Sequence, residues 1–176
     1  YLRMDKQYEV EILFGVSTDS FDSLGLITDI EKKSFDSIDF NKYKGKFIQQ
    51  YPRYSSKIIS MMEKGGEMPE EMPTKEVEIY SIEQVGSKAM SGSKIYEIVN
   101  QNISKVKGDF RQKEILDKWK EFSDKNGIVK FIILKIKVSC SSGTYMRTLA
   151  DRIGKDCDIP SLAFSIKRTR INGYKL

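Results

Sequence analysis

From Val129 to Cys140 the chain offers its longest strand candidate, which runs straight into Ser141-Ser142-Gly143 and then into a segment of helical spacing. The apolar run Phe131-Ile132-Ile133-Leu134 gives way to Lys135 and Lys137, so it reads as a strand. It falls far short of the roughly 18 apolar residues that span a bilayer. Ser-Ser-Gly makes a turn, and Thr144 to Ile153 then sets Tyr145, Leu149 and Ile153 on one helix face, with Arg147 and Arg152 elsewhere. A strand, a tight turn and a helix start leave backbone N–H groups aimed outward, an arrangement that attracts anions. Arg147, about one turn into that helix, is placed to pair with a phosphate or a carboxylate.

Other segments fill in a mixed architecture. Tyr8, Val10, Ile12 and Phe14 alternate with Gln7, Glu9 and Glu11, which predicts a half-buried strand over Lys6–Gly15. Thr18 to Gly25 is a loop of Ser, Asp and Gly, and Leu26 to Ile30 is a second short strand. Ser34 is placed to cap a helix carrying Phe35, Ile38 and Phe40. Pro52 makes the stretch from Gly45 to Lys57 an ordered loop, Gly65 to Pro73 an exposed connector, and Glu76 to Ile82 a strand. Gly86 to Ser93 reads as a flexible link. Lys94–Ile103 and Arg111–Lys125 read as helices, the latter with Ile115, Trp119 and Phe122 at helical spacing. Residues 84–127 are thus a helical insertion between two strands, with Trp119 a packing residue, and Phe164–Ile171 is a final strand. The expected class is α+β: one domain over residues 1–176, a mixed or mostly antiparallel sheet with flanking helices.

Composition narrows the chemistry. The chain contains no histidine, which excludes Ser-His-Asp and Cys-His catalysis, His-ligated zinc and histidine acid–base work. Cys140 and Cys157 are too few for a four-cysteine zinc site or a disulfide framework, and read as reduced thiols. Thirty Lys and Arg against 25 Asp and Glu leave a charge of +5, which suits a phosphate-bearing partner. With no membrane span and no secretory signal, a cytoplasmic address is the expectation, and a monomer is expected.

Three separated segments look specialised: Lys6-Gln7-Tyr8 with Gly15 and Thr18-Asp19-Ser20-Phe21-Asp22-Ser23-Leu24-Gly25; then Gln50-Tyr51-Pro52-Arg53-Tyr54-Ser55-Ser56; then Cys140-Ser141-Ser142-Gly143-Thr144-Tyr145-Met146-Arg147-Thr148-Leu149 followed by Lys167-Arg168-Thr169-Arg170. Taken singly, each has an ordinary reading: Arg147 a surface arginine, Tyr8 a core residue, Asp19 and Asp22 turn-formers. In this order, they resemble the TruB family of tRNA pseudouridine synthases. That family shows K-x-Y, a Gly, T-D-T-x-D-x-x-G, then Q-x-P-P-x-Y-S-A, then C-S-x-G-T-Y-I-R-T-L, and finally L-R-R-T. The likeness leaves the stretch from Gln84 to Asn126 unmatched.

The resemblance implies a partial pseudouridine synthase fold. It also implies chemistry without metal or cofactor: a uridine of the tRNA T-arm stem-loop is flipped out, detached from its ribose, turned and reattached through carbon. It assigns Tyr8 to stacking on the target base and to removal of the C5 proton, and Arg147 to pairing with the catalytic aspartate. Tyr145, Asp22 and Tyr54 match pocket positions, Ile166 a pocket wall, and Lys167 and Arg168 the basic residues beside it. The catalytic aspartate itself belongs to a G-x-L-D-P-x-A-x-G motif upstream of K-x-Y, and nothing in the 176 residues matches it. With Tyr1 rather than Met at the start, the expectation is a truncated, inactive chain. Tyr51-Pro52 stands for P-P, Ser56 for the alanine of Y-S-A, and Met62-Glu63-Lys64-Gly65 for A-R-x-G. Lys57 comes one residue early and is not counted among the expected contacts, and no PUA-type RNA-binding tail is read. A non-catalytic tRNA-binding module, half of a split enzyme and a domain with an unrelated interaction role are the competing readings.

Overall fold

A computed structural model describes residues 5–171 and the backbone of 174–175. Its elements, in chain order, are β1 (Lys6–Phe14), β2 (Val16–Thr18), β3 (Ile27–Ile30), a 3₁₀ turn (Phe40–Tyr43), β4 (Gly45–Gln50), α1 (Ser56–Glu63), β5 (Thr74–Ser91), α2 (Gly92–Lys105), α3 (Gln112–Asn126), β6 (Lys130–Cys140), α4 (Met146–Asp156), β7 (Ser161–Ile171) and β8 (Tyr174–Lys175). Six strands form one sheet in the order β4-β5-β6-β1-β7-β8, with β2 and β3 a separate pair. Every paired neighbour in the large sheet is antiparallel. The α+β class with an antiparallel sheet and flanking helices is as expected.

Strand β1 is central because alternation gives it two faces to bury. Tyr8, Val10, Ile12 and Phe14 join Leu149 and Ile153 of α4 and Phe40 and Tyr43 in one core. Leu13 points the other way, into a second core with Ile95 and Val99 of α2, Ile115, Trp119 and Phe122 of α3, and Phe131, Leu162 and Phe164. Helices α2 and α3 therefore cover the other face of the sheet with a second core. Trp119 is fully buried and donates its indole N–H to the Gly25 carbonyl at 3.2 Å.

Three local expectations fail, each for a tertiary reason. Residues 31–39 form no helix; Phe35 instead packs on Phe14 with ring centroids 4.6 Å apart, and Asp39 caps the 3₁₀ turn through Asn41 N–H at 3.0 Å. Gly86–Ser91 is not a flexible link but the far half of β5, paired from Gly86↔Lys135 to Ser91↔Lys130. Gly86 sits at a register shift, where a glycine eases a bulge rather than ending a strand. Between Gly45 and Lys57 only the centre is a loop. β4 precedes it, paired with β5, and α1 follows, with the Ser55 hydroxyl capping the Ile58 N–H.

Candidate functional site

The turn after β6 is built from its own hydroxyls. Ser141 Oγ accepts the Glu78 N–H at 2.9 Å, and Thr144 Oγ1 donates to the Ser141 carbonyl at 2.8 Å. Gly143 lies at φ +87°, in the region that favours glycine. The buried side chain of Gln49 then fixes the entrance to α4: its Oε1 accepts the Tyr145 N–H at 2.8 Å and its Nε2 donates to the Tyr145 carbonyl at 3.1 Å. Tyr145 also packs edge-on against Tyr51, centroids 5.2 Å apart.

Arg147 projects from the first turn of α4 into a junction of three segments. Its Nη1 donates to the Ser20 carbonyl at 3.2 Å and to Asp22 Oδ2 at 3.3 Å, and its Nη2 donates to the Tyr54 carbonyl at 3.3 Å. The other Asp22 oxygen accepts Ser20 Oγ at 2.7 Å and the Leu24 N–H at 2.9 Å, which folds the loop around the carboxylate. Both side chains are largely covered, 17% exposed for Arg147 and 21% for Asp22, so the pair is shielded from full solvent screening. A second arginine reaches the same junction from the start of α3. Arg111 pairs with Asp19 at 2.9 Å and lies 4.8 Å above the Tyr54 ring.

Tyr8 forms a separate group. Its phenol oxygen accepts Arg168 Nε at 3.3 Å, and the guanidinium lies 5.4 Å from the ring centroid. Burial pushes the Tyr8 phenol above its ordinary value, with Arg168 pulling the other way. Val10 and Ile166 are paired across β1 and β7, as Tyr8 and Arg168 are, which puts Ile166 and Arg168 on one face of β7.

Among the expected residues, the fold joins Arg147, Asp22 and the Tyr54 backbone at one junction, and Tyr8 with Arg168 at another; no described hydrogen bond links the two groups. Ile166 is exposed and shares with Asp22 a cavity of about 440 Å³, whose far wall includes Ile98 and Asn102 of α2. Lys167 is exposed opposite Glu9, and Lys57 donates to the Tyr51 hydroxyl at 3.1 Å. Gln49 and Arg111 were not anticipated. Gln49 could have been found only by reading the alternation of Phe47 and Gln49 as a strand, and Arg111 carries no signal beyond its place before a helix. Among the described residues no cluster of three or more Cys, Asp or Glu is placed to hold a metal ion. Both cysteines are free, and burial raises both thiols.

Comparison with known proteins gives consistent relatives. The chain is 30% identical over 175 residues to tRNA pseudouridine synthase B of Staphylococcus aureus, covering 98% of this chain and 48% of that protein. It is 26% identical over 171 residues to the protein of the same name from Lactobacillus gasseri, covering 97% and 49%. It is 25% identical over 183 residues to that of Staphylococcus saprophyticus, covering 99% and 49%. The chain spans about half the length of the curated relatives it matches. A solved Cbf5-Nop10-Gar1 complex contains a chain that aligns over 99% of this one and 32% of its own length, at a TM-score of 0.46 and 14% identity. No family model matches.

Proposed function

This chain belongs by sequence to the TruB family of tRNA pseudouridine synthases, and from that premise we propose that it forms the later part of an isomerase converting a T-loop uridine of tRNA to pseudouridine. It acts as a cytoplasmic monomer, without metal or cofactor, and residues 84–127 are an insertion into the catalytic domain. The target base leaves its stack, and a protein pocket replaces the lost stacking. N1–C1′ cleavage, rotation of the base and C5–C1′ bonding then leave one proton to be taken from C5 and one to be placed on N1.

The observation that carries this reading is the convergence of two chain-distant segments, the loop of Ser20 and Asp22 and that of Tyr54, on Arg147. A guanidinium has five N–H donors. Ser20, Asp22 and Tyr54 use three of them. Nε–H and the second Nη2 proton are left for an incoming carboxylate, the role the resemblance gives to the aspartate upstream of K-x-Y. Asp22 is committed to the loop and to Arg147, so it holds the arginine instead of attacking the sugar. Tyr8, kept as a neutral phenol by burial, takes the base, and Arg168 must swing off its ring for stacking to occur. Tyr145, Ile166 and Lys167 line the approach.

The test uses a T-arm stem-loop tritiated at uridine C5. The 176-residue chain is expected to bind it in a salt-sensitive way and to release no tritium. A longer protein that also carries the G-x-L-D-P segment is expected to release it. Retention of all tritium by a folded longer protein would falsify the isomerase reading.

A second reading, a tRNA-binding module without chemistry, is favoured by one observation: the chain carries a charge of +5 with Tyr8 and Arg147 in place. It predicts the same binding, with no release of tritium from any form of the protein.

A further inference from the structure

The lysine of Lys6-Gln7-Tyr8 has no part in the reading above, and its surroundings are unusual. Lys6 Nζ lies 3.5 Å from Ser142 Oγ, while Lys75 Nζ, arriving from β5, donates to the Ser142 carbonyl at 3.0 Å. Two ammonium groups thus bracket one residue of the turn after β6. Lys75 crosses the turn directly over Gly143, in space that any side chain at that position would occupy. Arg168 is the third cation of the group, held near by its bond to Tyr8. None of the three has a carboxylate within ion-pairing distance among the described residues. Burial lowers the Lys6 pKa, and repulsion from Arg168 and Lys75 adds to it.

Two of the three acidic residues of this corner are engaged elsewhere. Asp5 accepts the Tyr80 hydroxyl at 2.9 Å, and Glu76 faces Lys46 at 3.8 Å. Together with Glu78 they line the same cavity as Lys75, Ser141 and Ser142, so cations and carboxylates share its walls. Each lysine ammonium has three donors, and the turn uses one from each. Mutually repelling cations with spare donors, set on a turn locked by Ser141 and Thr144, are stabilised by an anion between them.

We propose that Lys6, Lys75 and Arg168 form an anion cradle over Ser141–Gly143 that holds one backbone phosphate of the bound RNA. The cradle adjoins Tyr8 two residues along β1, so it holds the phosphodiester beside the nucleotide that Tyr8 takes. This rests on the RNA-binding reading given above.

The test is stem-loop binding across a salt series by the 176-residue protein and its Lys6→Gln and Lys75→Gln variants, with Lys105→Gln at the end of α2 as control. Lys75 is exposed, so its variant keeps the test open if Lys6→Gln does not fold. Each cradle substitution is expected to reduce the slope of log Kd against log salt by about 0.7 to 0.9. It should weaken a scrambled hairpin equally, because phosphate contacts carry no base information. Lys105→Gln should change neither. Unchanged slopes in both cradle variants, with wild-type binding intact, overturn the cradle and leave the RNA reading standing. If the wild-type protein binds no hairpin, the RNA reading fails, and inorganic phosphate then tests the cradle alone. Selective NMR shifts at the Lys6 and Lys75 side chains support an anion site, and their absence overturns it.

Discussion

Arg147 does two jobs with one guanidinium: it neutralises Asp22, and it ties the carbonyls of Ser20 and Tyr54 to the start of α4. Arg147→Met leaves the partly buried Asp22 carboxylate without its counter-charge and two carbonyls without a donor. A loss of about 2–3 kcal/mol is expected, below the roughly 3–5 kcal/mol typical of breaking a fully buried pair, because both groups keep some exposure. Arg147→Lys restores charge but cannot span three acceptors on separate loops, so it should recover less than half of that loss. Urea unfolding measures both variants. A cost below about 0.5 kcal/mol for the methionine variant would mean that the loops hold themselves. The same residue shows why the site was legible before the fold. Arg147, Asp22 and Tyr8 lie within short patterns whose spacing survives in the sequence, whereas Gln49 acts through a pairing of strands that no local pattern reveals.

At the level of elements, legibility follows the range of the forces involved. Strand β1, the turn after β6 and α4 were read correctly because alternation and helical spacing are local. The far half of β5 was read as a link because Gly86 and the serines dominate locally, while the pairing with β6 that decides the outcome is long-range. The helix expected from Ser34 lost to the docking of Phe35 on Phe14. Helices α2 and α3 were legible as helices, but their connection to the site was not. Trp119 binds the Gly25 carbonyl, and Arg111 pins Asp19 while covering Tyr54. Trp119→Ala should cost about 3–5 kcal/mol by opening a cavity in the second core. Arg111→Ala should cost only about 1 kcal/mol, since its pair is partly exposed. It should nevertheless speed amide exchange in residues 18–25 and 51–55 while leaving β1 and β6 protected. Exchange that rises uniformly across the sheet in this variant would show that α3 merely stabilises the fold.

For the whole molecule, the decisive asymmetry is on the alkaline side. Tyr43 donates to Asp156 at 3.0 Å, and burial together with that carboxylate raises its phenol far above the ordinary range. Burial raises Tyr8 and Cys140 in the same direction. Each of these groups keeps its proton in the folded chain after the unfolded chain has released it. The folded state therefore binds more protons above the ordinary values, and stability falls as pH rises. The decline should begin near pH 9, where exposed thiols ionise, and steepen beyond about pH 10, where exposed phenols do. Lys6 works against the trend, because its lowered value makes its charge a cost at neutral pH that fades as it deprotonates. Tyr43→Phe removes the largest of the phenol contributions without removing the ring. Between pH 10 and 11 its unfolding free energy should depend on pH less steeply than that of the wild type, by about half a proton at the start of that range and about nine-tenths at its end. Parallel urea titrations of the two proteins decide the matter. Equal slopes would show that Tyr43 ionises as readily in the folded chain as in the unfolded one, so that its bond to Asp156 does not hold the proton.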